Sequence, residues 1–335
     1  MKMKSIALAL ATFAATTSVG FACTSVAWNT DDFGTLTSRT MDWVESTKPV
    51  LGNINKGEVR SIQGNGMGDT YTVKYNMIAT LAYGELVADG INEKGLQVNA
   101  LFYPDMTMKD SVTGDEVTQF TFAEYVLASY ASVQEAYDAI PKLNLARVKM
   151  AGMPMEMNLH WSITDKSGDR LVVQMDDDGL KMYRGEEAMV MTNDPSLAQQ
   201  LESKAEVIDT WADATRDTDY GSIGNGNSTS RFLHAGYFLS KLEQPTSTRN
   251  GMMKLSTVPF RVAADAPYKD FGTGRGVDGY ATEWTMTSSL DTGDVVFEYN
   301  FDDSWNTVQY NVYDLMGKEF RKSLSTNDIA PLTLD

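Results

Sequence analysis

Residues 23–43 read Cys23-Thr24-Ser25-Val26-Ala27-Trp28-Asn29-Thr30-Asp31-Asp32-Phe33-Gly34-Thr35-Leu36-Thr37-Ser38-Arg39-Thr40-Met41-Asp42-Trp43. Two β-prone runs flank a stretch dense in turn formers, the pattern of a hairpin. With the turn centred near Asp32, Trp28 falls opposite Leu36, Ser25 opposite Arg39, and Cys23 near Met41. Arg39 and Asp42 then flank Cys23 from the neighbouring strand.

The segment ahead of the hairpin has the form of an export signal. Lys2 and Lys4 precede a short apolar run from Ile6 to Ala15, and the segment closes on Gly20-Phe21-Ala22 with small residues at the cleavage positions. The run falls short of the roughly 20 apolar residues a membrane-spanning helix needs. Cleavage after Ala22 would make Cys23 the first residue of an exported, periplasmic or secreted chain. Residues 23–335 show no linker or repeat and read as one domain.

Cys23 is the single cysteine, so no intrachain disulfide exists, although exported proteins usually pair their thiols. At position one, a cysteine carries its own base. The α-amine has a reference pKa of about 7.7–8.0 and the thiol about 8.5, so a fraction of neutral amine can take the thiol proton at neutral pH. A guanidinium from Arg39 favours thiolate, and a carboxylate from Asp42 can orient the amine. Taken alone, this Arg and Asp are also an ordinary surface pair. The chain has only two histidines, His160 and His234, which leaves little for Cys–His or Ser–His–Asp catalysis or for zinc. No metal or cofactor is expected. A net charge of −17 argues against nucleic acid or an anionic membrane as partner.

Beyond the hairpin, strands are expected over residues 70–82, 95–103, 158–164, 170–175, 180–183, 189–192, 282–290, 295–299 and 307–313. Thr121-Phe122-Ala123-Glu124 and Ser132-Val133-Gln134-Glu135 have capping-box form, and residues 197–212 and 231–242 show helical spacing. Strand groups interleaved with helix pairs predict an α+β architecture with antiparallel sheets. Gly274-Arg275-Gly276-Val277-Asp278-Gly279 matches a dinucleotide fingerprint by letters only, because a β-prone segment follows it. Asp176-Asp177-Asp178-Gly179 reads as a hairpin turn rather than a calcium loop. His160 reads as a hydrogen-bonded structural residue and Trp161 as core.

Several blocks occur together and in order. They are Cys23-Thr24-Ser25, Ser38-Arg39-Thr40-Met41-Asp42-Trp43, Asp89-Gly90-Ile91-Asn92-Glu93-Lys94-Gly95-Leu96, Leu159-His160-Trp161-Ser162-Ile163-Thr164-Asp165, Met191-Thr192-Asn193-Asp194-Pro195, Ser230-Arg231-Phe232 and Thr282-Glu283-Trp284-Thr285. Their succession resembles the choloylglycine hydrolase family of bile salt hydrolases and penicillin V acylases. The resemblance implies an N-terminal nucleophile hydrolase with a four-layer αββα sandwich, active on a small-molecule N-acyl amide and assembled as a homotetramer. It makes Cys23 the nucleophile, with Arg39 and Asp42 beside it. Asn193 would position the amine or the tetrahedral intermediate, and Arg231 would be a second supporting guanidinium.

One position departs from the bile salt hydrolase pattern: Phe102 stands where an oxyanion-hole Asn is usual. Asn99 is the remaining side-chain candidate, although on a regular strand it faces the other way. Asn99-Ala100-Leu101-Phe102 and Trp43 are similar to the Gram-negative penicillin V acylase branch. That favours penicillin V or acyl homoserine lactones over conjugated bile salts. Trp43 and Phe102 read equally as lining of an acyl pocket or as core aromatics. A lipid-anchored, non-catalytic binding protein is the contrasting reading, weakened because Val19-Gly20-Phe21-Ala22 lacks the Leu usual three residues before a lipidated Cys.

Overall fold

The structure, a computed structural model, describes residues 23–149, 157–215, 217–224, 226–262, 267–269, 277–279, 281–302 and 304–326. The export segment expected at residues 1–22 lies outside them, as do Gly274, Arg275 and Gly276.

β1 (Thr24–Thr30) and β2 (Gly34–Trp43) form the expected hairpin, with Trp28 opposite Leu36 and Ser25 opposite Arg39. Its turn is closed by Thr30, whose hydroxyl donates to Gly34 O at 2.8 Å and accepts from Phe33 N at 3.0 Å. Gly34 has φ +68, and a Cβ there would lie 2.0 Å from the Asp291 carboxylate, so glycine is required twice over.

The chain continues through β3 (Val50–Ile54), β4 (Met77–Ala82), β5 (Leu86–Asn92) and β6 (Gln97–Phe102). Then come α1 (Phe122–Ser129), α2 (Val133–Ala139), β7 (Leu159–Thr164), β8 (Arg170–Asp176), β9 (Gly179–Arg184) and β10 (Val190–Met191). The last part holds α3 (Leu197–Val207), α4 (Ser228–Ser240), α5 (Thr248–Leu255), β11 (Ala281–Ser289), β12 (Asp294–Phe301), β13 (Ser304–Asn311) and β14 (Arg321–Ser323). One sheet has six strands in the order β10-β1-β2-β11-β12-β13, and the other has eight, β9-β8-β7-β6-β5-β4-β3-β14. All these pairings are antiparallel.

α1 and α2 pack on the eight-stranded sheet, and α4 and α5 on the six-stranded one. The layers are therefore helix, sheet, sheet, helix, the α+β arrangement expected. One apolar cluster joins α1 and α2 to the outer face of the larger sheet, where Trp161 lies 4.2 Å from Phe122, ring centre to ring centre. Such a pair contributes about 0.5–1.5 kcal/mol beyond the area it buries. Between the sheets a polar seam interrupts the second cluster: Ser25 reaches Asn99, Gln97 reaches Ser288, and Arg39 reaches Asp89.

Three expectations need correction. Thr121 does not cap α1; its hydroxyl donates to Ile62 O at 2.6 Å, and Glu124 is taken up by Arg60. The complete capping box lies instead at Ser196 and Gln199, ahead of α3. The strand expected over residues 70–82 is broken, with Thr70–Thr72 in a separate small ladder before β4. β5 was not expected, because Asp89, Gly90 and Asn92 are residue types depleted in strands. Here tertiary contacts outweigh propensity: Asp89 meets Arg39, Asn92 caps onto the end of α1 through Leu127 O, and Gly90 admits Leu127.

Candidate active site

Strand alternation sorts the site residues onto two faces. Cys23 and Ser25, with Arg39, Met41 and Trp43 on β2, face the eight-stranded sheet. Thr24, Thr40 and Asp42 face α4. Cys23 is 1% exposed; its Sγ lies 3.7 Å from Asp42 O and 3.9 Å from Met41 Sδ. It forms part of the wall of an apolar cavity with Met41, Trp43, Leu86, Phe102, Phe120 and Leu159. Trp43 and Phe102 meet there with ring centres 5.5 Å apart, and Trp43 Nε1 donates to Tyr83 Oη at 2.8 Å. Both aromatics belong to the cavity as well as to the core cluster.

The other face is organised by the start of α4. Asn227 caps it by accepting from Ser230 N at 2.8 Å, and the first turn presents Arg231 to the end of β1. Arg231 Nη1 donates to the Cys23 carbonyl and, at 2.9 Å, to Thr24 Oγ1; Nη2 donates to Asn193 Oδ1 at 2.8 Å. Asn193 Nδ2 in turn donates to Phe102 O at 2.6 Å, crossing from the smaller sheet to the larger. Arg231, distant in sequence from the hairpin, thus reaches Cys23, and Asn193 stands behind it as its partner.

Asp42 Oδ2 accepts from Thr40 Oγ1 at 3.2 Å, and that hydroxyl accepts from Thr24 N at 3.1 Å. Asp42 Oδ1 is buried with no hydrogen-bond partner among the described residues. Burial pushes the Asp42 carboxyl up to about 7 against the opposing pull of Arg231, Thr282, Arg39 and Thr40. Burial also pushes the Cys23 thiol above its ordinary value. The Arg39 cation, the Asp42 main chain and the Arg231 cation oppose this, while the Asp42 charge adds to it.

Asn99 Nδ2 donates to Asp89, and its Oδ1 accepts from Ser25 Oγ at 2.8 Å and Ser162 Oγ at 3.3 Å, in the seam between the sheets. The side chain is turned as strand parity dictates, and Asn99 is not among the residues lining the Cys23 cavity. Arg39 is likewise more deeply engaged than a flanking surface residue, with Asp89 at 2.6 Å and Trp284 beneath its guanidinium at 4.5 Å.

Sequence reasoning missed Asp89, Ser25, Arg170 and Tyr83. Asp89 stood within a quoted block, and a carboxylate at a strand interior is itself a signal of a buried cation nearby. His160 is structural as read: Nδ1 meets Gln174 Nε2 at 2.8 Å, the ring stacks on Tyr103 at 4.7 Å, and burial depresses its pKa to about 3. Asp176 pairs with Gly179, the hairpin turn expected there. Among the described residues, no group of three or more His, Cys, Asp or Glu is placed to hold a metal ion.

Residues 23–323 match the family described as linear amide C–N hydrolases, choloylglycine hydrolase family. A penicillin V acylase of Pectobacterium atrosepticum is 28% identical over 261 residues, 72% of this chain and 66% of that protein. A bile salt hydrolase/transferase of Clostridium perfringens is 30% identical over 113 residues, 33% of this chain and 34% of that protein. The chain thus spans just under two thirds of the length of the first relative and about a third of the second. In fold, the chain is similar to a penicillin V acylase from Agrobacterium tumefaciens, with TM-score 0.70, 22% identity and 86% of each chain covered. It is also similar to a mutant of conjugated bile acid hydrolase from Clostridium perfringens, with TM-score 0.71, 18% identity, and 93% and 99% coverage. The family match spans the hairpin, the Asn193 segment and the start of α4, and the chain belongs to the choloylglycine hydrolase family of linear amide C–N hydrolases.

Proposed function

We propose that the protein is an exported N-acyl amide hydrolase, acting through a thioester on Cys23 once residues 1–22 are removed, with penicillin V or N-acyl homoserine lactones as substrates. The observation that carries this reading is the position of Cys23 Sγ on the wall of an apolar cavity, 3.7 Å from the Asp42 carbonyl, with Arg231 on the Cys23 carbonyl and Asn193 behind Arg231. The free α-amine would lie one residue before Thr24 N, whose acceptor Thr40 Oγ1 is bonded to Asp42. The Asp42 carboxylate, held next to this segment, is the group assigned here to orient it.

The reaction follows from these positions. As Sγ attacks the carbonyl carbon, the thiol proton passes to the amine, which suits a thiol held protonated by burial. Asn193 Nδ2, which donates to the carbonyl of the cavity residue Phe102, is the amide assigned here to support the oxyanion. The protonated amine then gives its proton to the leaving nitrogen, the C–N bond breaks, and a thioester remains. Water adds to the thioester with the amine as base, Sγ departs, and the acid is released. Trp43 and Phe102 offer an apolar surface for a phenoxyacetyl group or an alkyl chain. The relative from Pectobacterium atrosepticum, a penicillin V acylase, supports the same ordering of substrates.

Cys23→Ala should abolish turnover and leave the melting curve in place; full activity in that variant refutes the reading. Side-by-side kcat/KM values on penicillin V, a long-chain acyl homoserine lactone and glycocholate rank the substrates, and a preference for glycocholate overturns the order given. Intact mass of the mature protein should show a free Cys23, whereas a diacylglyceryl adduct would favour the anchored binding protein. Light scattering should return the mass of a homotetramer.

A further inference from the structure

Arg39 is a guanidinium with a side chain only 2% exposed, and its partners come from several elements. Nη1 donates to Asp89 Oδ2 at 2.6 Å, Nη2 to Ala100 O at 3.3 Å and Met41 Sδ at 3.6 Å, and the plane rests on Trp284. Nε has no hydrogen-bond partner among the described residues. Asp89 is therefore the one anion among them that fixes the direction of this cation. A charge-assisted bond of this kind is about twice as strong as a neutral one and more directional.

Asp89 is held in its turn. Its Oδ1 accepts from Asn99 Nδ2, Asn99 Oδ1 accepts from Ser25 Oγ, and Ser25 Oγ accepts from Arg170 Nη2 at 2.8 Å. Ser25 is the backbone partner of Arg39 and stands two residues from Cys23. The side chains of Arg39, Asp89, Asn99 and Ser25 form a chain across both sheets, and the backbone pairing of Ser25 with Arg39 closes it two residues from Cys23.

We propose that Asp89 is a positioning residue: anchored by Asn99 and Ser25, it aims the Arg39 guanidinium at Cys23, and the reactivity of the thiol depends on that aim. Arg39 Nη2 and Cys23 Sγ both reach Met41 Sδ, at 3.6 and 3.9 Å, so the guanidinium stands beside the thiol, and Asp89, bonded to Arg39, works through it. Without Asp89, Arg39 keeps only a carbonyl, a thioether and a ring face, none of which fixes where its charge points.

The proposal rests on Cys23 being the nucleophile, and the test separates the two. The mature protein has one thiol, so iodoacetamide labelling followed by intact mass reports Cys23 alone, without substrate. In Asp89→Asn the pH midpoint of labelling should rise, and kcat on penicillin V should fall at least about tenfold with KM changed less than about threefold. In Asp89→Asn combined with Arg39→Ala, the loss should be no larger than in Arg39→Ala alone, because nothing remains to be aimed. Asn99→Ala keeps the ion pair and loosens its anchor. It should move the labelling midpoint the same way with a kcat loss of about threefold, and it decides the matter if Asp89→Asn does not fold. An unmoved or lowered midpoint, or additive losses in the double variant, overturns the proposal. A wild-type protein without amidase activity would instead overturn the reading of Cys23.

Discussion

Asn193 Nδ2 donates to the main-chain carbonyl of Phe102 at 2.6 Å, while its Oδ1 accepts from Arg231 at 2.8 Å, so one side-chain amide bridges both sheets beside Cys23. The two ends of that amide can be tested separately. Asn193→Ala removes both, and Asn193→Asp keeps the acceptor for Arg231 but loses the donor. If the N–H groups do the catalytic work, both variants should lose about 10²–10³-fold in kcat, the scale of an oxyanion donor. Steady-state kinetics decide it, and an active Asn193→Asp enzyme would place the work in the Arg231 contact instead.

Tyr83 shapes the cavity through Trp43. Its hydroxyl accepts from the Trp43 indole at 2.8 Å and donates to Glu45 at 3.0 Å. Tyr83→Phe leaves the ring and removes the bond, a loss of about 0.5–1.5 kcal/mol in the hold on the indole. The expected outcome is a several-fold change in the ratio of kcat/KM between penicillin V and a long-chain acyl substrate, with a shift in tryptophan emission. Equal changes on both substrates would show that Tyr83 does not select the acyl group.

How much of this was legible in the chain differs between residues for physical reasons. The hairpin was, because alternation and turn chemistry are local and fix which residues face which; Ser25 opposite Arg39 is a matter of counting from Asp32. Parity also placed Asn99 on the opposite face of its strand from Phe102, where it meets Ser25 and Asp89. Asp89 as the partner of Arg39 was not legible, since the pairing joins strands from different sheets and no period links residues 50 apart. The same holds for Arg170, a fully buried guanidinium that donates to Ser25, Thr164 and Ala188 O and whose pKa burial depresses to about 9. Arg231 and Asn193 were found only through the resemblance; their helix and turn settings are unremarkable taken singly.

His160 gives a prediction in pH. Its folded-state pKa of about 3 lies below the unfolded value of about 6.5, so the unfolded chain binds the extra proton between these limits. Stability from this group is complete above about pH 6.5 and is lost as pH falls toward 3, by roughly 1.4 kcal/mol per unit at most. The buried carboxyls Asp42 and Asp89, raised to about 7 and about 6, act in the opposite sense. The comparison must therefore be made between variants. Melting temperatures of His160→Gln should fall less steeply than wild type from about pH 6.5 to 4; parallel curves would mean that His160 charges without penalty.

Two glycines on the larger sheet separate close approach from backbone freedom. At Gly90, on β5, an added Cβ would sit 2.6 Å from Leu127 Cδ1 of α1 and 3.2 Å from Ile78 O. The leucine tip can turn, but the carbonyl belongs to the β4–β5 ladder and cannot. Overpacking of this kind costs about 1–3 kcal/mol. At Gly52, on β3, the nearest atoms are Arg321 Cγ at 3.4 Å, Phe320 O at 3.6 Å and Leu81 Cδ1 at 3.7 Å, which is ordinary contact. Alanine there should cost nothing in the folded state and reduce the freedom of the unfolded chain, a gain of about 0.4–1 kcal/mol. Thermal denaturation should therefore show Gly90→Ala melting several degrees below wild type and Gly52→Ala at or above it. If Gly90→Ala melts at the wild-type temperature, α1 is free to move off β5, and the helix–sheet contact is looser than these distances require.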